Sequence, residues 1–448
     1  MARLFGTDGV RGIANKELTP ELAFRLGWAA TTYFGRHSKC QPTILIGRDT
    51  RLSGPMLEAA LAAGICAAGG KAVLLGVVPT PAVAYLTHSC KAQAGAVISA
   101  SHNPYPDNGI KFFAGTGYKL PDEVEDQLEE LVLSCDEKGG KRPTGAQVGT
   151  IEPGHELLDR YLDYLAGTIK GDLQGLRVVL DCANGAAFEA APRILERLGA
   201  EVTVLYNQPD GININEGCGS THLDALQREV LRQKAHVGIA NYGDADRCLV
   251  VDEKGNIVDG DQIMVICALA LLRQGKLKEH TLVATVMSNL GLHQAIRKEG
   301  GTVVVTPVGD RYVLEAMRAS GFSLGGEQSG HIIFRQFSTT GDGILTALQL
   351  LANLKVSGKA MSELAGVMTR FPQVLVNVRV GTKDGWQDNE AICEAIEKAD
   401  AVLGEEGRIL VRASGTAKLI RVMAEGPVQE QLDSLAPEVA TVIDREQA

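Results

Sequence analysis

Residues 43–75, TILIGRDTRLSGPMLEAALAAGICAAGGKAVLL, decide the fold class. The stretch opens with an apolar, β-branched run at Thr43–Ile46, passes through an Ala/Leu-rich segment at Leu57–Ala68, and closes with a second apolar run at Ala72–Leu75. The pair Gly69-Gly70 stops the helical pattern before the second run begins. A strand, a helix and a strand in this order predict parallel strands joined by a crossover helix.

The same alternation continues along the chain and appears three times. Further strands are predicted at Gly95–Ile98, Arg177–Leu180, Val202–Tyr206, Val237–Ala240, Thr281–Val286 and Thr302–Thr306, with helices at Glu123–Leu133, Ala190–Leu198 and from about Arg311. The tail differs, because apolar and polar residues alternate in the strands predicted at Val374–Val380 and Arg408–Val411, which flank a helix at Glu390–Ala399.

The predicted fold class is therefore α/β, with three similar α/β domains of mixed or parallel sheets and a smaller C-terminal α+β domain. The predicted boundaries are 1–155, 156–256, 257–370 and 371–448. A length of 448 residues is consistent with this division, since domains hold roughly 150 residues each.

Composition excludes several classes of protein. The chain is 45% hydrophobic and 22% charged, as in ordinary globular proteins. Its net charge of −10 argues against nonspecific binding to nucleic acid or to anionic membranes. The sequence contains no apolar run long enough for a membrane helix and no secretory signal, which predicts a cytoplasmic protein. Nine cysteines without a C-x-x-C pair argue against a disulfide framework and against a zinc site.

The first segment whose side chains could take part in a reaction is Ile98–Pro104, which follows a predicted strand. Ser101 and His102 would lie at the carboxyl end of that strand, where open α/β sheets bind their ligands. A serine at this place can accept a phosphoryl group, and backbone N–H groups can hold the dianion that results. A serine that only caps the next element is the alternative on spacing alone.

The second segment is Tyr242-Gly-Asp-Ala-Asp-Arg247, directly after another apolar run. The carboxylates of Asp244 and Asp246 offer the hard oxygen ligands that suit Mg²⁺, and Arg247 could hold a phosphate beside them. A solvated turn and the aspartate pair of a phosphatase remain alternatives for this segment taken alone.

The third segment is Gly325-Gly-Glu-Gln-Ser-Gly-His331, in which glycines let the backbone approach a ligand. Glu327, Ser329 and His331 together offer an acceptor, a hydroxyl and a titratable ring, a mixture that suits a polyhydroxy compound. A polar glycine loop between strands is the alternative.

The fourth segment, Arg412-Ala-Ser-Gly-Thr416, combines a guanidinium, two hydroxyls and a glycine at the spacing of a phosphate-binding loop. An ordinary turn fits it as well. Because the four segments fall one per predicted domain, they predict a single site at a four-domain junction.

Seven motifs in one order make the chain resemble the α-D-phosphohexomutase superfamily, and within it most closely the bacterial phosphoglucosamine mutases. The motifs run from end to end: Phe5–Gly12 (FGTDGVRG), Ser99–Pro104 (SASHNP), Asn108–Lys111 (NGIK), Thr306–Arg311 (TPVGDR), Gly326–His331 (GEQSGH), Thr339–Gly343 (TTGDG) and Arg412–Thr416 (RASGT).

The resemblance implies an isomerase that interconverts glucosamine 6-phosphate and glucosamine 1-phosphate, a precursor step for peptidoglycan. It implies that Ser101 carries a phosphate, that glucosamine 1,6-bisphosphate is the intermediate, and that one Mg²⁺ ion is held by Ser101, Asp244 and Asp246. The residues it places around the reacting groups are Arg11, His102, Lys111 and His331, and proton transfer would fall to Lys111 or His331.

The resemblance also implies the substrate-binding set. Glu327 and Ser329 would hold the sugar hydroxyls, and the nonreacting phosphate would bind to Arg412, Ser414, Gly415 and Thr416. The remaining substrate-binding residues are Arg247, Gly309, Asp310 and Arg311. A homodimer is a further implication.

The sequence departs from the family pattern at two places. Tyr242 and Ala245 stand where the family reads Asp and Gly in the metal loop, which removes one negative charge and one residue suited to positive φ. Ala417 and Lys418 replace the family's Glu-Pro after the phosphate loop. Two further hypotheses follow, a catalytically impaired or noncatalytic phosphosugar-binding relative and a mutase for another hexose phosphate.

Overall fold

The computed structural model describes residues 3–6, 8–36, 40–134, 142–414 and 418–447. The chain divides into two compact units, of which the first comprises 1–286 with 303–366 and the second comprises 287–302 with 367–448. The four domain boundaries drawn from the sequence stay predictions.

The first unit begins with a six-stranded sheet in the order β1-β5-β4-β2-β3-β6. Its strands are β1 (Val10–Ile13), β2 (Thr43–Arg48), β3 (Lys71–Val77), β4 (Ala94–Ile98), β5 (Asp107–Ala114) and β6 (Thr150–Pro153), and its helices are α1 (Pro20–Gly35), α2 (Gly54–Ala67), α3 (Thr80–Ser89) and α4 (Asp122–Leu133). Strands β3 and β4 run parallel to β2, whereas β5 runs antiparallel to β4 and β1. The segment between β4 and β5 therefore lies at the carboxyl ends of the parallel strands.

Two glycines let α1 and α2 pack backbone to backbone beneath this sheet. A Cβ atom on Gly27 would lie 2.2 Å from the carbonyl oxygen of Leu61, and one on Gly64 would lie 2.0 Å from that of Phe24. Any larger residue at either position would force the helices apart.

The second sheet has the order β11-β10-β9-β7-β8. Its strands are β7 (Arg177–Asp181), β8 (Glu201–Leu205), β9 (Val237–Asn241), β10 (Cys248–Asp252) and β11 (Ile257–Val258), and the helices of this region are α5 (Leu157–Ala166), α6 (Ala187–Arg197) and α7 (Asp224–Gln233). β9 and β10 form an antiparallel hairpin whose last pair is Asn241 with Cys248, so residues 242–247 form its loop.

The third sheet has the order β13-β12-β14-β15. Its strands are β12 (Thr281–Thr285), β13 (Thr302–Thr306), β14 (Leu324–Gly326) and β15 (Ile332–Phe334), and the helices of this stretch are α8 (Gly260–Arg273), α9 (Leu290–Lys298), α10 (Asp310–Ser320), α11 (Gly343–Ser357) and α12 (Met361–Ala365), of which α9 belongs to the second unit. β14 and β15 pair antiparallel, and the turn between them carries residues 327–331.

The second unit contains an antiparallel sheet in the order β16-β18-β17. Its strands are β16 (Gln373–Arg379), β17 (Arg408–Ala413) and β18 (Leu419–Glu425), and its helices besides α9 are α13 (Glu390–Leu403) and α14 (Gln429–Gln447). The apolar core between sheet and helices includes Ile392, Ile420, Val422 and Ile443.

The predicted fold class is confirmed, with three sheets of mixed or parallel strands and a smaller antiparallel C-terminal sheet. In the described residues, no helix is long and apolar enough to cross a membrane.

Candidate active site

Ser101 lies in the turn between β4 and β5 with its backbone in the left-handed region, at a φ of 53°. Its amide N–H donates to the hydroxyl of Ser99 at 3.0 Å, and its own Oγ donates to Asp244 Oδ1 at 2.9 Å. The side chain is buried, with a relative exposure of 4% for the residue. The structure thus brings together the first two segments singled out in the sequence.

Arg51 anchors this turn, although the sequence interpretation overlooked it. Its guanidinium is fully buried and donates to Asp49 Oδ2 at 2.9 Å and to the carbonyl oxygens of Pro104, Asn103 and Ser101 at 2.6, 2.8 and 3.1 Å. Asp49 in turn accepts a hydrogen bond from Ser99 Oγ. A signal was present, because Asp49 and Arg51 lie three and five residues after the predicted strand Thr43–Ile46, at the edge where α/β sheets bind ligands.

Asp244 is the centre of the buried cluster. Its Oδ2 accepts from Lys111 Nζ at 2.8 Å and from Thr80 Oγ1 at 2.9 Å, while Oδ1 accepts from Ser101. Burial alone would raise the pKa of this carboxyl, but the Lys111 ammonium holds it well below its usual range. Thr80, which the sequence interpretation missed, begins α3 directly after a proline.

Asp246 lies beside Asp244 and is less completely satisfied. Its Oδ1 is buried and has no hydrogen-bond partner in the described part of the chain. Burial and the negative charge of Asp244 raise the pKa of Asp246, and Arg247 opposes this shift from a distance of 3.9 Å between Nε and Oδ1. The loop also holds Ala245 at a φ of 62°, a conformation that costs a residue other than glycine about 1 kcal/mol.

Tyr242 fills the position of the missing family carboxylate. Its ring lies under the Arg247 guanidinium, with 4.8 Å between Cζ and the ring centroid, and meets the edge of the His102 ring at 5.6 Å between centroids. His102 itself is exposed. The sequence shows that a tyrosine stands at this position, but only the tertiary fold shows that its ring contacts Arg247 and His102.

The turn between β14 and β15 places His331 and Glu327 in the same unit. His331 is buried, with Nε2 3.7 Å from Asp310 Oδ2 and 4.0 Å from Asp246 Oδ2, and burial lowers its pKa to about 4. Glu327 Oε1 accepts from the backbone N–H of Gly309 at 3.1 Å. The predicted residues of the third region therefore join the Asp244 cluster through Asp246.

Lys119 links the first and third regions and was not singled out from the sequence. Its Nζ donates to Asp310 Oδ2 at 2.5 Å and to Asp8 Oδ1 at 3.3 Å, and Asp8 also lies 3.4 Å from Arg11 Nη2. The Lys119 ammonium outweighs burial and lowers the pKa of Asp310. Lys119 lay outside the predicted strands and loops, so only the fold shows that it faces Asp310.

Two predicted substrate-binding residues, Arg311 and Ser329, have weaker connections to the Asp244 cluster. Arg311 points to Asp122 at 2.5 Å and to Glu315 at 3.0 Å, both on an exposed surface, so its contacts do not join it to the Asp244 cluster. Ser329 is half-buried in the turn before His331.

The predicted phosphate loop belongs to the second unit. Arg412 on β17 stands opposite Arg421 on β18, and both Nε atoms are buried without a hydrogen-bond partner among the described residues. The Ser414 carbonyl accepts from Lys383 Nζ at 2.8 Å, and Lys418 is exposed. Gly415, Thr416 and Ala417 lie outside the described residues. Arg421 was missed because it falls inside an apolar strand pattern.

The residues around Asp244 fit a small divalent cation. The buried carboxylate of Asp244 and the partly buried one of Asp246 lie next to each other; Asp246 Oδ1 is buried without a partner among the described residues, and Ser101 Oγ contacts Asp244. In the described ranges, no three His, Cys, Asp or Glu side chains form a metal-binding group, and Ser101 Oγ, 2.9 Å from Asp244 Oδ1, is a further oxygen beside the two carboxylates. Oxygen donors alone are the set that Mg²⁺ prefers.

Comparison with known families covers nearly the whole chain. The matching families are the phosphoglucomutase/phosphomannomutase alpha/beta/alpha domains I (residues 2–138), II (159–255) and III (259–371) and the C-terminal domain of the same proteins (375–442).

Individual relatives are similar over their full lengths. The phosphoglucosamine mutase of Symbiobacterium thermophilum is 58% identical over 447 residues, covering 100% of both chains, and that of Desulforamulus reducens is 55% identical, covering 99% of both.

Solved structures share the fold at lower identity. A phosphoglucomutase/phosphomannomutase family protein from Burkholderia thailandensis has a TM-score of 0.81 at 24% identity, covering 99% of this chain and 97% of its own. The Aspergillus fumigatus N-acetylphosphoglucosamine mutase, solved with GlcNAc-6P and magnesium, has a TM-score of 0.69 at 19% identity, covering 99% and 96%.

Proposed function

Because this chain belongs to the phosphoglucosamine mutases of the phosphohexomutase superfamily, we propose that it interconverts glucosamine 6-phosphate and glucosamine 1-phosphate through a phosphate carried on Ser101. It is an isomerase that acts on hexosamine phosphates. The family uses a metal cofactor, and we infer that the metal here is Mg²⁺.

One observation carries the proposal. Ser101 Oγ lies 2.9 Å from Asp244, a buried carboxylate whose other oxygen accepts from Lys111 at 2.8 Å. A serine among these charges is set up for phosphoryl transfer, which depends on charge neutralisation and positioning more than on new covalent chemistry. The phosphoserine gives its phosphate to the free hydroxyl of the substrate. The resulting glucosamine 1,6-bisphosphate then returns its other phosphate to Ser101.

Other residues of the cluster would bind the metal, donate a proton and accept a hydrogen bond from the sugar. Asp244, Asp246 and the phosphate on Ser101 would hold Mg²⁺, which when bound supplies positive charge for the phosphoryl oxygens. Lys111 Nζ lies 2.8 Å from Asp244 Oδ2. It can donate a proton or a hydrogen bond to Ser101 Oγ as the phosphoryl group leaves that oxygen. His331 is neutral at pH 7, and its buried Nδ1, without a partner in the described residues, can accept from a sugar hydroxyl.

Substrate binding is assigned to the remaining predicted residues. Glu327 and Ser329 hold sugar hydroxyls, while Arg247 binds phosphate beside Asp246, and Asp310 supports this region from the start of α10. Arg11 and His102 would contact the phosphoserine side.

The nonreacting phosphate is assigned to the second unit. Two arginines at paired strand positions, each with a buried Nε that has no partner within the described ranges, repel one another unless an anion lies between or beside them. Arg412 and Arg421 therefore support a phosphate site at this loop, together with the predicted Ser414, Gly415 and Thr416.

The test compares Ser101→Ala with Ser89→Ala. Ser89 lies at the far end of α3, and its Oγ donates a long hydrogen bond of 3.5 Å to the Leu86 carbonyl oxygen. Purified wild-type protein should convert glucosamine 6-phosphate at millimolar Mg²⁺ with a bisphosphate activator, and its intact mass should show one phosphate. Ser101→Ala should lose both properties and Ser89→Ala neither. Turnover by Ser101→Ala would refute the assignment.

Specificity is tested with the same proteins. Initial rates on the 6-phosphates of glucosamine, glucose and mannose should be highest for glucosamine. A higher rate on glucose 6-phosphate or mannose 6-phosphate would show that the proposed substrate is wrong.

A cytoplasmic location, a homodimer and the absence of nucleic-acid binding stay predictions, which fractionation, sedimentation and a nucleic-acid binding assay can test.

A further inference from the structure

Tyr242 makes two contacts that single it out within the 242–247 loop. The Arg247 guanidinium lies over its ring at 4.8 Å, and Arg247 Nη1 donates to the Tyr242 hydroxyl at 3.5 Å. The ring also meets His102 edge to face, at an interplanar angle of 81°. Tyr242 therefore lies between two residues of the proposed site.

The way in which Arg247 is held leaves hydrogen-bond donors available. A guanidinium that lies on a ring uses its flat face for that contact, whereas its N–H donors lie in its plane. Arg247 Nε is buried and has no hydrogen-bond partner in the described residues, and its nearest carboxylate oxygen, on Asp246, is 3.9 Å away. Among the described residues, no carboxylate oxygen lies within hydrogen-bond distance of the Arg247 donors, and only Nη1 is engaged, by the Tyr242 hydroxyl.

A carboxylate at position 242 would act differently. It would pair with Arg247 through those same in-plane donors, because planar guanidinium–carboxylate pairs are bidentate. A phenol remains neutral at pH 7, contacts the guanidinium through its ring, and takes only one long hydrogen bond, at 3.5 Å, from Nη1. The side chain at 242 thus decides whether the Arg247 donors are used inside the loop or remain free.

We propose that Tyr242 is a positioning residue of this mutase, which holds the Arg247 guanidinium by its ring so that the free donors of Arg247 bind a phosphate of the hexosamine phosphate. The proposal rests on the proposed function, since it takes the ligand from it. It adds a residue that acts through Arg247 and that contacts neither the sugar nor the transferring phosphate.

A double-mutant cycle tests the pair. Tyr242→Leu removes the ring, Tyr242→Phe keeps it, and Arg247→Met removes the guanidinium. A cation–π contact of ordinary strength corresponds to about a 2- to 30-fold change in affinity. Tyr242→Leu should raise KM for glucosamine 6-phosphate within this range with little change in kcat, and Tyr242→Phe should stay within about twofold of wild type. In the Arg247→Met background, Tyr242→Leu should have no further effect on KM.

Controls separate positioning from general damage. Phe24→Leu removes the ring beneath another arginine, since Arg142 lies 5.9 Å from the Phe24 ring in α1, and it should leave KM unchanged. If Tyr242→Leu unfolds, Tyr242→Met keeps the length of the side chain without a ring and replaces it in the cycle.

The outcomes distinguish this proposal from the proposed function. Equal effects of Tyr242→Leu with and without Arg247, or an unchanged KM, would overturn the positioning role. Absence of mutase turnover in the wild-type protein would instead overturn the proposed function. The same cycle can then be measured as equilibrium binding of glucosamine 6-phosphate by calorimetry in a Ser101→Ala background, where loss of coupling again counts against Tyr242.

Discussion

Replacing Arg51 by lysine should loosen the turn that carries Ser101. The guanidinium makes one ion pair with Asp49 and donates to three backbone carbonyl oxygens of the turn, and it is fully buried. A lysine ammonium can remain opposite Asp49, but a single nitrogen cannot also reach all three carbonyl groups.

The magnitude follows from the bonds that are lost. A hydrogen bond from a charged donor contributes roughly 1.5–3 kcal/mol, so the loss of two such bonds lowers the free energy of unfolding by at least about 3 kcal/mol. Arg51→Met costs more, because it leaves the buried Asp49 carboxylate without its cation, at roughly 3–5 kcal/mol from that pair alone. Misplacement of Ser101 by about 1 Å would lower turnover on the order of 100-fold.

Urea unfolding followed by circular dichroism and turnover of glucosamine 6-phosphate measure the two effects. Arg48→Lys is the matched control. Arg48 is the last residue of β2, the strand that precedes Arg51, and its partly exposed side chain lies with Nε 3.3 Å from Glu58. Arg48→Lys should change stability by less than about 1 kcal/mol. If Arg51→Lys unfolds within about 0.5 kcal/mol of wild type and retains turnover within about twofold, the turn does not depend on Arg51 and the reasoning is wrong.

Three further predictions concern charge. Tyr242→Asp should lower the Mg²⁺ concentration for half-maximal turnover roughly tenfold, since a carboxylate adds charge beside Asp244 and Asp246; Tyr242→Asn is the control, and equal Mg²⁺ dependence of the two would contradict this. Arg408→Met should destabilise the second unit by roughly 3–5 kcal/mol, because it leaves the buried Glu425 carboxylate, 2.7 Å from Arg408 Nη2, without its cation. Adding Glu425→Gln should restore most of the loss in denaturant unfolding, and failure to do so would mean that the pair is not the cause. Burial raises the pKa of Asp181 to about 6, so the folded state binds more protons and stability falls as pH rises from about 4 to 6. Asp181→Asn should remove up to about 3 kcal/mol of the total change in stability across that pH range, and an unchanged pH dependence would exclude Asp181 as its source.

Local patterns predicted much of the fold. The strand predicted at Thr302–Thr306 has the same bounds in the structure, and the helix predicted at Glu123–Leu133 begins one residue earlier, at Asp122. These elements were readable because apolar periodicity and glycine or proline signals lie within the segment itself. The antiparallel β5 was not identified as a strand, since its family motif was interpreted for chemistry and its pairing with β1 and β4 depends on distant residues.

The site divides in the same way. Ser101, Asp244 and Asp246 could be singled out because each follows a strand in a recognisable motif. Lys119 lies in no such motif, and for Arg51 the sequence showed only a place after a predicted strand, because the atoms that both residues bind belong to other segments.

The amino-acid sequence by itself determined the alternation of strands and helices, which loops carry acidic, hydroxyl and basic groups, and to which family the chain belongs. Those properties depend on residue type and on neighbours a few positions away. Only the tertiary structure decided that Lys111 pairs with Asp244, that Arg51 holds the Ser101 turn and that Arg247 rests on the Tyr242 ring. Hydrogen bonds, ion pairs and ring contacts need atoms within a few ångströms of each other, and the fold alone determines which distant residues come that close.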